Sequence, residues 1–244
     1  AHVSFDNEID FSGDFTMTGE LGVGTNDGTN SNDKPADGVG IVFSPGTKEH
    51  AQADSESGGG LGISGLENAF GIFYDPWPNT SDYNDPLSDD GTPASHTYLG
   101  WRETDDSGKL LAPATNNYIK TSDLPTGTLK YEAAPSNKFK ISYDHDSKKI
   151  TFVLLDDNGN EIEASKSVYT FNGSTTDGYS LSVAASTGGS KDSYSVKIDN
   201  FDYTPKANRV NIDMQDTVAG EDTVNFAGVT IKANIGDTIA IFSD

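Results

Sequence analysis

A two-layer antiparallel β-sandwich is the fold this sequence predicts, and three observations predict it. Short segments alternate apolar with polar residues, Gly, Asn, Asp and Ser break them at close intervals, and helical periodicity is nearly absent. Strands are expected at 15–23, 38–43, 69–74, 97–101, 139–143, 150–155, 179–185 and 193–203. With no crossover helices between them, two packed antiparallel sheets are the simplest way to bury one face of each strand. The stretch FKISYDHDSKKITFVLLDDNGNEIEAS at 139–165 reads as consecutive hairpins, with Asp157, Asn158 and Gly159 in a turn that tolerates positive φ. Polar loops at 24–36 and 79–95 are expected at the ends of the sandwich, and loops that long are more often functional than idle.

Composition narrows the function. At 244 residues the chain holds one large all-β domain, or one domain with a small appendage. A formal net charge of −22 repels phosphate backbones and anionic membranes, which argues against nucleic acid as a partner and makes cations the natural counterpart. Cysteine is absent, which excludes only a disulfide framework. The sequence contains no run of 18 apolar residues, so no membrane insertion is expected. The opening AHVSFDNEID lacks the charged and apolar regions of a signal peptide, so a secreted form is expected to have lost its targeting segment.

The richest stretch is FGIFYDPWPNTSDYNDP, 70–86, where an apolar strand runs into a loop of oxygen donors. Asp75, Asn79 and Asp85 supply hard ligands, prolines at 76, 78 and 86 stiffen the backbone, and Trp77 projects an aromatic ring from the same turn. Such a loop suits Ca²⁺ beside a ligand face. It reads equally as an acidic, proline-rich surface turn that needs no metal.

Four separated motifs then fall in register. PADGVGIVFSPG at 35–46, GGGLGISGLENAFGIFYDPWPN at 58–79, the Asp85-Pro86 pair, and SLSVAASTGGSKDSYSVKIDNFDYT at 180–204 occur in the order seen in L-type (legume-like) lectins. Residues 1–204 most resemble the lectin modules of bacterial cell-wall-anchored serine-rich-repeat adhesins. The resemblance implies a concanavalin-like jelly roll that binds cell-surface glycans with Ca²⁺ as cofactor, outside the cell, as a monomeric module of a larger surface protein. It also implies roles. Asp37 accepts hydrogen bonds from sugar hydroxyls, and Gly59 or Gly60 donates a main-chain N–H where the missing side chain lets a sugar approach. Trp77 stacks on the sugar's apolar face while its carbonyl meets the ion. Asn79 gives an oxygen to Ca²⁺ and its amide nitrogen to the sugar, and Asp75 and Asp85 complete the metal set. Gly188 and Gly189 lie in the variable loop that tunes which monosaccharide is accepted.

This chain departs from the plant pattern in two places. Phe73 stands where plant members carry a Glu that helps hold a transition metal, and His96 lies ten residues beyond Pro86, so Ca²⁺ alone is expected. Insertions around Asp85 leave Asp82, Asp89 and Asp90 as substitutes for it as a ligand.

Independently of the family, a sugar site needs a carboxylate, an amide, a backbone donor and an apolar platform, and Asp37, Asn79, Gly59 and Trp77 supply that set. Two other readings compete. A glycoside hydrolase on the same sandwich needs two carboxylates facing a scissile bond. Glu8 and Asp10 read more simply as edge-strand polar residues, and His2, His50, His96 and His145 lack a nucleophile signature, so no enzyme is expected. The other competitor is a structural or protein-binding adhesin module in which Ca²⁺ only stiffens loops. Pro205 marks a boundary, and 205–244 is expected to be a short β extension or the start of a following module.

Overall fold

The computed structural model describes residues 2–24, 37–46, 58–77, 85, 97–114, 117–186, 192–205, 222–226 and 229–233. Two units make up the chain, Ala1–Thr204 and Pro205–Asp244. In the first, β1 (His2–Ile9), β2 (Gly13–Gly22), β3 (Gly38–Pro45), β4 (Phe70–Asp75), β5 (Tyr98–Glu103) and β6 (Tyr118–Lys120) are followed by β7 (Asn137–Asp144), β8 (Lys149–Leu154), β9 (Ser167–Thr170), β10 (Tyr179–Ser186) and β11 (Ser195–Pro205). They form a six-stranded sheet ordered β1-β10-β3-β4-β5-β6 and a five-stranded sheet ordered β11-β2-β7-β8-β9. The β1–β10, β10–β3, β3–β4, β4–β5, β5–β6, β2–β7, β7–β8 and β8–β9 pairings are antiparallel, which makes the first unit an all-β sandwich. In the second unit, β12 (Asp222–Phe226) and β13 (Val229–Ala233) pair antiparallel with Val224 opposite Ile231.

Each expected strand has a counterpart, and three strands were not foreseen. β6 and β9 are three and four residues long, too short to display a period. β1 hides its alternation because its register against β10 shifts between Ser4 and Glu8, and its Val3 and Phe5 are 66% and 41% exposed on an edge strand. The 139–165 segment turns where expected, with Gly159 at φ 85° after β8. The loops expected at 24–36 and 79–95 lie outside the described residues apart from Gly24 and Asp85.

Burial differs between the sheets. Along β2 and β7 buried and part-exposed residues alternate, as in a sheet with one face toward water. β4 is buried at all six positions and β3 at all but its last, so the centre of the six-stranded sheet is covered on both faces. Between the sheets lies an aromatic core centred on Phe11, which stacks on Phe171 at 4.1 Å and meets Phe15, Phe43, Phe70, Tyr143 and Tyr179. Over the outer face, Leu61, Ile63 and Leu66 from the segment before β4 pack with Val42, Phe73, Leu110 and Ala184 in a second, smaller core. Among the described residues no helix is long and apolar enough to cross a membrane.

Because Phe11 is fully buried and touches rings from both sheets, Phe11→Ala is expected to cost about 3–5 kcal/mol. Urea unfolding checks this, and a loss below about 1 kcal/mol contradicts the packing described.

Candidate functional site

Strand alternation decides which side chains meet at the end of the six-stranded sheet. On β4, Phe70, Ile72 and Tyr74 enter the sandwich core, which turns Phe73 and Asp75 to the opposite face. On β5, Leu99 and Trp101 enter that core, which turns Tyr98, Gly100 and Arg102 to the face that Asp75 occupies. Asp75 pairs directly with Tyr98 across the ladder. One face at the ends of two neighbouring strands therefore carries a carboxylate, a phenol and a guanidinium.

Their geometry is that of a closed polar cluster. Tyr98 Oη donates to Asp75 Oδ2 at 2.8 Å, and Arg102 Nη1 donates to Tyr98 Oη at 2.5 Å and to Asp85 Oδ1 at 2.7 Å. Arg102 Nη1 also stands 3.9 Å from Asp75 Oδ2, and Arg102 Nε donates to the Leu111 carbonyl at 3.3 Å. The Trp77 N–H donates to Asp75 Oδ1 at 3.1 Å, which folds the chain after β4 back over the carboxylate. The Arg102 side chain is fully buried and those of Asp75 and Asp85 are 1% and 2% exposed.

Burial sets the electrostatics. The Asp75 carboxyl is pushed well above the usual carboxylate range, first by desolvation and then by the Asp85 charge, against the opposing pull of Arg102, Tyr98 and the Trp77 N–H. Burial likewise raises the Tyr98 phenol. Desolvation works against the Arg102 charge, but Tyr98, Asp85 and Asp75 outweigh it and hold the guanidinium firmly protonated. The cluster thus sets two carboxyl groups against one guanidinium, with burial driving Asp75 toward its neutral form.

Asp37 enters from the neighbouring strand. It is 5% exposed, immediately precedes β3, and its N–H donates to the carbonyl of Ser186, the last residue of β10, at 2.7 Å. Next to it, Gly38 lets three elements touch: a Cβ there would stand 2.5 Å from the Tyr74 carbonyl oxygen, 3.1 Å from Leu61 and 3.4 Å from the Asp75 Cα. Asp37, the end of β4 and the glycine turn are thus one neighbourhood. That turn, Gly58–Gly60, is a single 3-10 turn with Gly59 and Gly60 buried and the Gly58 carbonyl accepting from the Leu61 N–H at 3.0 Å. Gly62 anchors it, since a Cβ there would lie 2.8 Å from that of Ala184. Trp77 is half-buried beside Asp75.

The expected site residues Asp37, Gly59, Gly60, Asp75, Trp77 and Asp85 are thus described, and the first five share this corner while Asp85 joins it through Arg102. Asn79, Gly188 and Gly189 lie outside the described residues, as do Asp82, Asp89, Asp90 and His96. Among the described residues no group of three or more His, Cys, Asp or Glu is poised to hold a metal ion. The Asp75 and Asp85 carboxyl oxygens are of the hard donor type that Ca²⁺ takes.

Reasoning from the sequence missed Tyr98, Arg102 and Tyr194. Tyr194, just before β11, lies 6.3 Å from Tyr74 ring to ring, and its phenol is raised by burial and by the charges of Asp192, Asp75 and Asp37, which places it beside the same corner. The signal for Arg102 was its spacing, since a strand residue next to core-facing Trp101 must face away from that core.

The legume lectin β-barrel domain model matches residues 1–200. The serine-rich adhesin for platelets of Staphylococcus aureus strain MSSA476 is 28% identical over 98% of this chain and 10% of its own length. The protein of that name in strain MRSA252 is 28% identical over 98% of this chain and 17% of its own. The chain therefore spans a small part of the curated relatives it matches. Among solved structures, the exoplasmic/lumenal domain of VIP36 in a Ca²⁺/Man2-bound form aligns with TM-score 0.50 and 15% identity, covering 81% of this chain and 70% of that one. A lectin from Bauhinia forficata in complex with GalNAc aligns at 0.49 with 14% identity, over 82% and 76%.

Tyr98→Phe removes the hydroxyl that links Arg102 to Asp75 and leaves a buried carboxylate oxygen short of a donor. A loss of about 1–3 kcal/mol in urea unfolding is expected, and an unchanged midpoint contradicts the linkage.

Proposed function

Since this chain belongs to the legume lectin β-barrel domain family, we propose that it is a non-catalytic, Ca²⁺-dependent carbohydrate-binding domain of a bacterial surface adhesin, working outside the cell on cell-surface glycans. The single observation that carries this reading is the shared corner. A buried carboxylate, Asp37, a glycine turn, and a second buried carboxylate, Asp75, which accepts from the main-chain N–H of half-buried Trp77, meet around Gly38. Those are the groups a sugar requires: an acceptor for its hydroxyls, main-chain donors that a ring can approach, and an apolar platform.

Within this reading Asp75, Asp85, Asn79 and the Trp77 carbonyl hold Ca²⁺, and the ion supplies the charge that fixes the loop after β4. Asp37 accepts from sugar hydroxyls, Gly59 or Gly60 and the Asn79 amide donate, and Trp77 stacks on the apolar face of the ring. Gly188 and Gly189 line the loop after β10 that selects among sugars. Asp75 and Asp85 are already engaged by Tyr98 and Arg102 in a buried cluster, which suits holding an ion better than delivering protons across a glycosidic bond. The adhesin reading draws on the platelet-adhesin relatives, which match nearly the whole chain. A monomeric module within a longer surface protein is consistent with the small share of those relatives it spans, and residues 205–244 then form a short extension or the start of a following module.

A glycan array run in millimolar Ca²⁺ and again in EDTA tests the reading. Binding to a defined set of glycans is expected in Ca²⁺ and is expected to disappear in EDTA. Trp77→Ala is expected to weaken glycan binding about tenfold or more while leaving Ca²⁺ affinity unchanged. Glycan binding that survives both EDTA and Trp77→Ala counts against the reading.

A further inference from the structure

We infer that Arg102 is a resident cation of this site, clamping Asp75 and Asp85 from the strand side so that the cluster is assembled before any metal arrives and accepts one divalent ion, not two. The clamp is visible in the contacts. One guanidinium nitrogen reaches Asp85 Oδ1 at 2.7 Å and Tyr98 Oη at 2.5 Å, the Tyr98 hydroxyl donates a hydrogen bond to Asp75 Oδ2 at 2.8 Å, and Nε donates to the Leu111 carbonyl at 3.3 Å. A planar group fixed at several points cannot swing away to admit another ion.

Among the described residues, Phe73 and Gly100, beside Arg102 on that face, offer a second ion no side-chain donor. Two residues before Asp75 on β4 stands Phe73, whose ring lies where Cβ atoms on Gly40 and Gly71 would be, 2.3 and 2.9 Å away. Directly opposite Phe73 on β5 is Gly100, which has no side chain, and directly opposite Asp75 is Tyr98, whose hydroxyl already donates to one cluster member and accepts from another.

The ion count rests on the Ca²⁺ reading above; the clamp does not. Calorimetric titration of the chain with Ca²⁺ is expected to give one ion per chain, with no further uptake when Mn²⁺ is added to the Ca²⁺-saturated protein. In EDTA, Arg102→Met is expected to melt roughly 6–20 °C below wild type, because it removes the guanidinium that two buried carboxyl groups share, and Ca²⁺ is expected to raise its melting temperature more than that of wild type. Arg102→Lys, which keeps the charge on a single nitrogen, is expected to melt between the two and to bind one Ca²⁺. Two divalent ions per wild-type chain overturn the ion count. Arg102→Met melting with wild type in EDTA overturns the clamp, and where that variant is not recovered folded, Arg102→Lys melting at the wild-type temperature does so. A wild-type chain that takes up no divalent ion overturns the ion count together with the Ca²⁺ reading, while the EDTA melts still decide the clamp.

Discussion

Covering the six-stranded sheet on both faces governs the chemistry at its loop end. β4 has no exposed position, so its terminal Asp75 carries a charge into a place where water cannot stabilise it. A charge in that position must be met by fixed donors, and three arrive from different parts of the chain: the Trp77 N–H from the following loop, Tyr98 from the opposing strand, and Arg102 four residues further along that strand. The five-stranded sheet has no such problem. Its β2 and β7 face water on one side, and the ion pairs formed by its lysines, such as Lys140 with Glu161, are partly or fully exposed and add little to stability.

The small outer core connects the fold to the site. Leu61, Ile63 and Leu66 cover Val42, Phe73 and Ala184, and in doing so they hold the glycine turn beside the entry to β3. Leu61 adopts φ 57°, a conformation that an L residue rarely takes, and its side chain is fully buried. The packing of that side chain works against the backbone cost, so apolar contact under the turn holds it in place together with the turn's own hydrogen bonds. Phe73 belongs to the same argument. Where an acidic residue would have joined Asp75 and Asp85, a phenyl ring extends the outer core to the edge of the charged cluster.

Legibility followed periodicity. The alternation in 139–143 and 150–155 gave β7 and β8 within a residue or two, and the uninterrupted apolar run before Asp75 marked a strand buried on both faces. Short motifs singled out Asp37, Asp75 and Trp77, and the described residues include all three, Asp37 and Asp75 buried and Trp77 half-buried. β1 was not legible, since its apolar residues face water at an edge and its register shifts, nor were β6 and β9, which are too short to show a pattern. Arg102 was the consequential miss. An arginine near the end of a strand reads as a solvent-facing charge, and only the pairing of β4 with β5, a tertiary fact, reveals that its face is the one on which Asp75 is buried.

The choice of arginine at this position follows from the number of groups it serves. A lysine ammonium is a strongly hydrated point charge on a flexible stem, so burying it against Asp85 would leave Tyr98 and the Leu111 carbonyl to compete for one nitrogen. The guanidinium has separate donors in a fixed plane, and Nη1 and Nε divide these partners between them. Its charge also persists at any pH the fold survives, so Asp75 and Asp85 keep a counter-charge whether or not a metal ion is present. In a chain of net charge −22, where cations outside are plentiful partners but none is permanent, one covalently tethered positive charge gives the buried carboxylates a geometry that does not depend on supply.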